Sequence, residues 1–317
     1  MEESPASCQT CGMNAAAPRL DLTSALLLVF LSVLWGGSFL FAKIAVTAIP
    51  VAVALAARVI IGAVGLGLYL IVTRHALPTE LRIWRMFLFM GIFNNAIPFG
   101  LLFWAQTEIS AGLGAILNAT TPIFTLIIAH LMTRDEKITR DKLLGIAIGF
   151  CGVAVLVGPS LLFDPGRATW AKFACIVASI SYGCASVFGR RFAREKISPI
   201  SATFGQVVTS SIVILPIALF FNPVDSIAHA STPVLLALLA LGLVSTSFAY
   251  VLFYKILARA GATNVSLVTL LVPVSATILG ALVLGETLTL MQGLGMALIG
   301  VGLLVMDGRL VRHLRAA

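Results

Sequence analysis

Charged side chains are scarce in this chain of 317 residues: lysine, arginine, aspartate and glutamate together make up 11% of it. In ordinary soluble domains they make up about a quarter. Hydrophobic residues account for 59% of the chain. This balance excludes a soluble globular protein and leaves almost no sequence for a water-soluble domain. The composition indicates an integral membrane protein.

Cysteine and histidine are too few and too scattered to form a recognisable reactive centre. Cys8 and Cys11 form a CxxC pair, but a zinc site normally needs a second pair or histidines nearby, and none follows. Cys151, Cys175 and Cys184 lie in apolar stretches, where they are expected to pack as small residues. The four histidines form no constellation, and there is no glycine-rich nucleotide loop. We therefore predict no enzyme activity, no cofactor, no bound metal and no transport driven by ATP on this chain.

Long apolar runs dominate what is present. A run of about 20 apolar residues crosses a hydrocarbon core, and its backbone must then form a helix because lipid offers no hydrogen bonds. We predict an all-α membrane protein with ten transmembrane helices. The predicted spans are 24–43, 51–73, 84–105, 111–132, 141–158, 168–190, 200–221, 233–255, 263–284 and 290–307.

Basic residues predict the orientation of these helices. If the N-terminus lies inside, nearly all lysines and arginines fall in inner loops or tails, and the outer loops hold only Arg167 and Lys172. This is the distribution expected from the positive-inside rule, so both termini are predicted to be cytoplasmic. The net charge of +8 is then explained by the orientation of the helices in the membrane and does not indicate nucleic-acid binding. Lipid is the expected surrounding partner.

The segment 111–152 recurs in altered form at 262–302. Each copy consists of an apolar helix that contains a proline, a polar turn that contains a glutamate, and a second helix that contains glycines. The aligned pairs include Pro122 with Pro273, Asn118 with Thr269, Glu136 with Glu286, Gly145 with Gly295 and Gly152 with Gly302. Repetition at half the chain length indicates two copies of one unit. Five helices per copy, an odd number, require the second copy to be inverted across the membrane.

This repeat predicts the domain organisation. Two five-helix repeats are flanked by short tails and joined by one loop. The expected parts are a cytoplasmic tail at 1–23, a first repeat at 24–158, a periplasmic connecting loop at 159–167, a second repeat at 168–307 and a basic cytoplasmic tail at 308–317.

Three prolines predict helix kinks beside polar side chains. A proline cannot donate to the carbonyl four residues earlier, so Pro98 frees the carbonyl of Asn94. By the same rule Pro122 frees that of Asn118, and Pro273 that of Thr269. Two interpretations stay open. Side chains repair the helix locally, as in many kinked membrane helices, or these points line a polar cavity near the midplane, where transporters with internal repeats bind solutes.

Other candidates for the solute pathway are polar or aromatic residues within the predicted helices. They are Trp35, Ser38, Asn95, Thr121, Tyr182, Gln206 and Tyr250. Tyr182 can be aligned on Trp35, and Gly183 on Gly36, when the sixth helix is laid over the first. Arg58 lies about two turns into the second helix, where an unpaired charge is costly, so we assign Lys43, Arg58 and Glu108 to gating or charge pairing.

Several stretches together resemble the EamA-type transporters of the drug/metabolite transporter superfamily. They are WGGSFLFAK in the first helix, Arg58, AGLGAILNATTPIF with the following MTRDEKIT, and VTLLVPVSATILGALVLGETLT. The resemblance covers residues 24 to 306. It implies a ten-helix inner-membrane carrier with two repeats and cytoplasmic termini, and members that export amino acids, other metabolites or toxic compounds.

We therefore expect a secondary transporter, most simply an exporter, that works by alternating access on a small-molecule solute. Amides at Asn94, Asn95, Asn118 and Gln206 would suit a zwitterion such as an amino acid. No acidic residue lies in the middle of a predicted helix, so a buried proton relay is not evident. A membrane scaffold or channel-like subunit without carrier activity is the alternative.

Overall fold

The structure, a computed structural model, describes residues 21–133, 138–157, 166–221 and 226–307, and within these ranges it is helical and contains no β-strand. The helices pack into a single bundle. They are α1 (Leu22–Val46), α2 (Val51–Thr73), α3 (Leu81–Glu108), α4 (Ala111–Met132), α5 (Arg140–Val157), α6 (Arg167–Arg194), α7 (Pro199–Phe221), α8 (Thr232–Ala260), α9 (Val268–Leu284) and α10 (Leu290–Asp307).

Seven of the described helices are long and apolar enough to cross a membrane by length and composition: α1, α2, α3, α4, α6, α7 and α8. Helix α9 and the apolar stretch Leu290–Met306 of α10 are shorter. Helix α5 begins with the charged residues Arg140, Asp141 and Lys142. The all-helical architecture predicted from the apolar runs is thus confirmed for the described residues, while the count of ten transmembrane spans stays a prediction.

Every predicted span overlaps described helix, and several helices extend further. The span predicted at 168–190 continues to Arg194, and the one at 233–255 continues to Ala260. An apolar run marks only the part suited to hydrocarbon, whereas a helix can continue into water through lysine and arginine, which are good helix formers. The tails 1–20 and 308–317, the loop 158–165 and Glu136 lie outside the described residues.

Four of the helical spans are interrupted. Helix α3 contains a wide π-helical turn at Gly91–Ala96, directly before Pro98, and α4 is broken at Ala119 and Thr120, directly before Pro122. Pro273 lies inside α9, and the break there comes earlier, after the single turn Ala262–Val265. Pro98, Pro122 and Pro273 therefore lie in interrupted spans, although the break near Pro273 is displaced from its equivalent in the other copy.

Helix α8 contains a second π-helical segment, Ala240–Phe248, which has no proline and which the sequence analysis did not predict. Hydroxyl groups bridge its widened turns. Thr246 Oγ1 donates to the carbonyl of Leu241 at 2.8 Å, and Ser247 Oγ donates to that of Gly242 at 3.0 Å. Local bonds of this kind stabilise irregular backbone where no water is available.

The closest backbone approach joins α5 and α10 through glycines. A β-carbon on Gly145 would lie 2.5 Å from the carbonyl oxygen of Gly302, and one on Gly152 would lie 2.9 Å from that of Gly295. The contacts are reciprocal: Gly145 aligns with Gly295 in sequence but touches Gly302, the equivalent of Gly152. Such exchange of partners is the pattern that a two-fold relation produces.

Helices α1 and α6 show the same exchange. A β-carbon on Gly36 would lie 2.8 Å from the backbone nitrogen of Ala276, whereas one on Gly183 would lie 3.0 Å from that of Thr125. Ala276 and Thr125 are separated by the same number of residues as Pro273 and Pro122. The first helix of each half therefore packs against the proline-containing helix of the other half, so the two halves interlock.

Ion pairs join helix ends on the side predicted to be cytoplasmic. Arg259 at the end of α8 contacts Asp21, which caps the start of α1, at 2.6 Å. This hydrogen bond lowers the pKa of the Asp21 carboxyl below its usual range. Arg82 pairs with Glu195 through two hydrogen bonds, one of them 2.9 Å long. These pairs are exposed and are expected to contribute little to stability.

A glycine pair on α10 tests the crossing with α5. Gly302→Ala places a methyl group 2.6 Å from the carbonyl oxygen of Gly145, so we expect a loss of about 1–3 kcal/mol of stability. Gly300→Ala is the matched control, because apart from the neighbouring backbone of α10 no atom of the described residues lies within 4 Å of its β-carbon position. Thermal denaturation of the detergent-solubilised variants measures the difference, and equal midpoints would contradict this account of the crossing.

Candidate functional site

Polar side chains from α3, α7 and α8 meet in the middle of the bundle. The wide turn in α3 carries Asn94, whose Nδ2 donates to Oε1 of Gln206 at 3.2 Å. The next residue, Asn95, is fully buried, and its Nδ2 lies 3.5 Å from Oγ of Ser210. Three of the predicted pathway residues, Asn94, Asn95 and Gln206, thus lie together at the contact of α3 with α7.

Arg58 lies at the same centre, with only 8% of its surface exposed. Its guanidinium carbon is 3.8 Å from the centroid of the Phe99 ring, and Nε donates to Thr246 Oγ1 at 3.3 Å. No carboxylate of the described residues pairs with it.

The terminal nitrogens of Arg58 have no hydrogen-bond acceptor among the described residues. Nε2 of Gln206 likewise has no acceptor among the described residues. Both side chains are almost entirely buried, so the contact of α2 with α7 encloses polar groups that the surrounding described residues do not pair.

Aromatic rings surround this centre. Trp35 packs against Tyr250 with ring centroids 6.2 Å apart, and against Phe253 at 5.4 Å. Tyr182 packs against Phe99 at 6.4 Å. The side chain of Trp35 remains half-buried although its helix neighbours Leu34 and Gly36 are buried. Aromatic walls and a few polar groups in an interior space are typical of small-molecule sites.

The two ring pairs are equivalent under the sequence repeat. Tyr182 aligns with Trp35, and Tyr250 is separated from Phe99 by the same number of residues as Pro273 from Pro122. Gln206 and Arg58 are equivalent as well. Gln206 lies four residues before Ser210, whose backbone nitrogen packs against a glycine in the wide turn of α3. Arg58 lies four residues before Gly62, whose backbone nitrogen packs against a glycine in the wide turn of α8. The centre therefore has two related halves, with a charge in one and an amide in the other.

The remaining predicted pathway residues make local bonds. Oγ1 of Thr121 donates to the carbonyl of Asn118 at 2.8 Å, which satisfies the acceptor that Pro122 leaves free. Oγ1 of Thr269 donates to Ser266 at 2.8 Å, and Ser38 donates to Trp35 at 2.6 Å. These contacts match the local-repair interpretation and do not join the central cluster. Oδ1 of Asn118, however, is enclosed and has no partner in the described structure.

Helix termini close the end of the bundle where Lys43 and Glu286 lie. Lys43 Nζ donates to the carbonyls of Gln106 and Ile109, at 2.5 and 3.0 Å, at the C-terminal end of α3. Glu286 accepts from the backbone nitrogens of Ala111, at 2.8 Å, and Gly112, at 3.3 Å. Each charge has the sign that complements its helix dipole. The turn between α3 and α4 is thereby joined to α1 and to the turn after α9.

Glu108, the third residue assigned to charge pairing, contacts Arg167 at 2.8 Å. The sequence analysis did not predict four features of the site: the aromatic partner Phe99, the hydroxyl partner Thr246, the wide turn in α8 and the capping role of Glu286. The recurrence of a glutamate after each proline-containing helix was the available signal for Glu286. Phe99 could have been found only by applying the repeat to Tyr250.

Comparison with known proteins gives a consistent result. The model of the EamA-like transporter family matches twice, at residues 22–158 and 169–306. Relatives include the "Uncharacterized transporter YoaV" of Bacillus subtilis, 27% identical over 87% of this chain and 94% of its own length. A "Probable amino-acid metabolite efflux pump" of Salmonella typhimurium is 29% identical over 90% of this chain and 94% of its own.

A solved structure shares the fold. It superposes with a TM-score of 0.65 at 20% identity and covers 92% of this chain and 99% of its own. The family resemblance inferred from the sequence is confirmed by the double family match. Those matches and the apolar helices together identify a multi-pass inner-membrane protein.

Two glutamates at one end of the bundle allow a matched test of the contacts with helix termini that close this end. Glu286→Gln removes the charge that two backbone N–H groups bind, and charge-assisted bonds contribute about 1.5–3 kcal/mol each at most. Glu108→Gln removes the charge from a pair with a largely exposed arginine and from a 3.3 Å bond donated by the exposed Thr107 hydroxyl, for which about 0–1 kcal/mol is expected. We expect the first variant to have the clearly lower thermal midpoint in detergent. A larger loss in Glu108→Gln would contradict the assigned closure.

Proposed function

The chain belongs to the EamA-like transporter family, and from this we propose that it is a secondary transporter that exports small metabolites, such as amino acids, or toxic compounds by alternating access. The observation that carries the proposal is the interior cluster in which Arg58, Asn94 and Gln206 meet aromatic rings. Solute sites in transporters with internal repeats lie near the midplane, where the repeats meet.

We assign two inverted repeats of five helices each, at 24–158 and 168–307, with both termini in the cytoplasm. The reciprocal glycine contacts of α5 with α10 support this symmetry, as do the equivalent contacts of Gly36 and Gly183. The pairing of Asp21 with Arg259 supports placing the start of α1 and the end of α8 on the same side. The interlocked arrangement leaves the polar centre between the two halves.

Alternating access requires a seal that can form at either end of the solute pathway. The contacts of Lys43 and Glu286 with helix termini supply such a seal at the end we assign to the periplasm. Hydrogen bonds between a side chain and a helix end can be exchanged for water without unfolding the helix. We infer that these contacts close the outer side and that rocking of the repeats would open it.

The chemistry of the central cluster supports a small amphipathic solute. Amides supply donors and acceptors, and the rings of Trp35 and Tyr250 supply apolar walls. The naming of relatives as amino-acid metabolite efflux pumps agrees with this class. In the described ranges every aspartate and glutamate lies at a helix end or in a turn, so exchange or facilitated transport fits the central cluster better than a carboxylate proton relay.

Solute counterflow in proteoliposomes tests the proposal. Vesicles are loaded with unlabelled amino acids and other metabolites, and uptake of radiolabelled partners is followed. A carrier exchanges one class of solute and saturates, an enzyme alters its substrate, and a scaffold does neither. A folded protein that exchanges no member of the panel would contradict the proposal.

Asn94→Leu tests the central cluster within that assay. Leucine is similar in size but leaves the carbonyl oxygen of Gln206 without its donor and removes polar lining, so we expect counterflow to fall about tenfold or more. Thr107→Val is the control on the same helix, because that hydroxyl is exposed and its acceptors, the carbonyl of Trp104 and Oε1 of Glu108, lie outside the central cluster. Unchanged counterflow in Asn94→Leu, with normal membrane insertion, would remove Asn94 from the pathway.

A further inference from the structure

We propose that Arg190 closes the inner end of the bundle in the opposite state of the transport cycle, by donating hydrogen bonds to the carbonyl oxygens of Leu257 and Ala260 at the end of α8. This inference rests on the proposed alternating access and assigns a gating residue to its second state. It depends on three observations: the contacts of Lys43 at the outer end, the position of Arg190 in the repeat, and the unequal burial of the two ends.

Lys43 supplies the pattern at the outer end. Its Nζ donates to the carbonyls of Gln106 and Ile109, at 2.5 and 3.0 Å, and so joins α1 to the end of α3. The last carbonyls of a helix have no partner within that helix, and a cation there complements the helix dipole. Helix α1 also packs along the second half of α3 and the first half of α4. The lysine therefore fastens helices that already lie in contact.

Arg190 is the equivalent of Lys43 when the sixth helix is aligned on the first. The two carbonyls that Lys43 binds have equivalents at Leu257 and Ala260, by the residue spacing that relates the two proline-containing helices. In the proposed inverted topology the ends of α3 and α8 lie on opposite sides of the membrane. The donor and both acceptors of the outer contact therefore have counterparts at the inner end.

The two ends of the bundle are packed to different extents. At the outer end Phe39 on α1 and Ala115 on α4 are buried. Their equivalents at the inner end, Ser186 and Ser266, are exposed. Among the described residues, α6 makes no contact with the last turns of α8 comparable to that of α1 with α3. This difference between equivalent ends is the one expected in a single state of a carrier built from inverted repeats.

The carbonyls at the end of α8 have local partners in the described structure. That of Ala260 accepts from Nδ2 of Asn264 at 2.8 Å, and that of Leu257 accepts from the backbone nitrogen of Gly261 at 3.0 Å. A carbonyl oxygen has two lone pairs, so each can accept a second bond from a guanidinium. The inner end can therefore stay open without leaving these acceptors unsatisfied, and it can close without unfolding α8.

Opening of the outer end would reverse the arrangement. Rocking of two inverted repeats exchanges the surroundings of equivalent residues, so α6 would meet the end of α8 as α1 now meets the end of α3. A guanidinium has several N–H groups and can donate to two carbonyls at once. The contact of Lys43 would then stabilise one state, and the contact of Arg190 the other.

A cysteine introduced at a buried position of the outer end reports the opposite state. Ala115 is buried while its equivalent Ser266 is exposed, so the thiol of Ala115→Cys is expected to react with N-ethylmaleimide only when the outer end opens. The labelling rate is measured on the protein in lipid nanodiscs, and mass spectrometry of the labelled peptide separates this site from the native cysteines. The rate follows the population of the state in which Arg190 closes the inner end.

Substitutions combined with this reporter test the assignment. Arg190→Ala should lower the labelling rate about tenfold, because charge-assisted hydrogen bonds that stabilise the opposite state are lost. Lys43→Ala should raise the rate by weakening the outer contact, and Arg190→Lys should keep most of the parental rate. Arg194→Ala is the control, because it removes an exposed charge one turn further along α6 whose equivalent, Thr47, makes only a local bond. A substitution that merely loosened the fold would raise the rate.

The outcomes separate this inference from the proposed function. An unchanged or higher rate in Arg190→Ala, or an equal loss in Arg194→Ala, would overturn the role of Arg190 even if counterflow showed a working carrier. A reporter that stays unlabelled in Lys43→Ala would overturn the exchange between the two ends. The labelling assay uses no solute, so a lowered rate in Arg190→Ala supports the assignment whichever solutes are exchanged. Failure of counterflow with the whole panel contradicts the transport function independently.

Discussion

Hydrocarbon offers no hydrogen-bond partner, so every irregular turn inside this bundle must be satisfied by the protein itself. The wide turn of α8 is bridged by the hydroxyls of Thr246 and Ser247, and the break in α4 by that of Thr121. These bonds allow helices to widen without exposing carbonyls to lipid. These turns place Asn94 and Thr246 at the centre, so the central polar cluster depends on local repair of the backbone.

The two interpretations of the prolines therefore apply to different helices. At Asn118 the freed carbonyl is satisfied locally by Thr121, and the side chain makes no bond to the central cluster. At Asn94 the side chain instead reaches Gln206 on another helix. The same sequence signal, a polar residue four positions before a proline, thus has a structural outcome in one helix and a candidate binding role in another.

Hydropathy was sufficient to predict the helices because about 20 consecutive apolar residues have no other structure available in lipid. It could not locate the wide turn of α8, which has no proline and only a run of hydroxyl residues that often occurs in regular helices. For the site, polarity predicted Asn94, Gln206 and Tyr250. It could not predict Phe99, because a phenylalanine in a membrane helix carries no signal until the position of Arg58 above its ring is known.

The repeat gives the two halves of the central cluster similar architecture, and the substitutions make them chemically different. Arg58, in the first half, lies over the ring of Phe99 and donates to Thr246, whereas its equivalent Gln206 is a neutral amide that accepts from Asn94. This asymmetry is a property of two aligned residues and not of the fold.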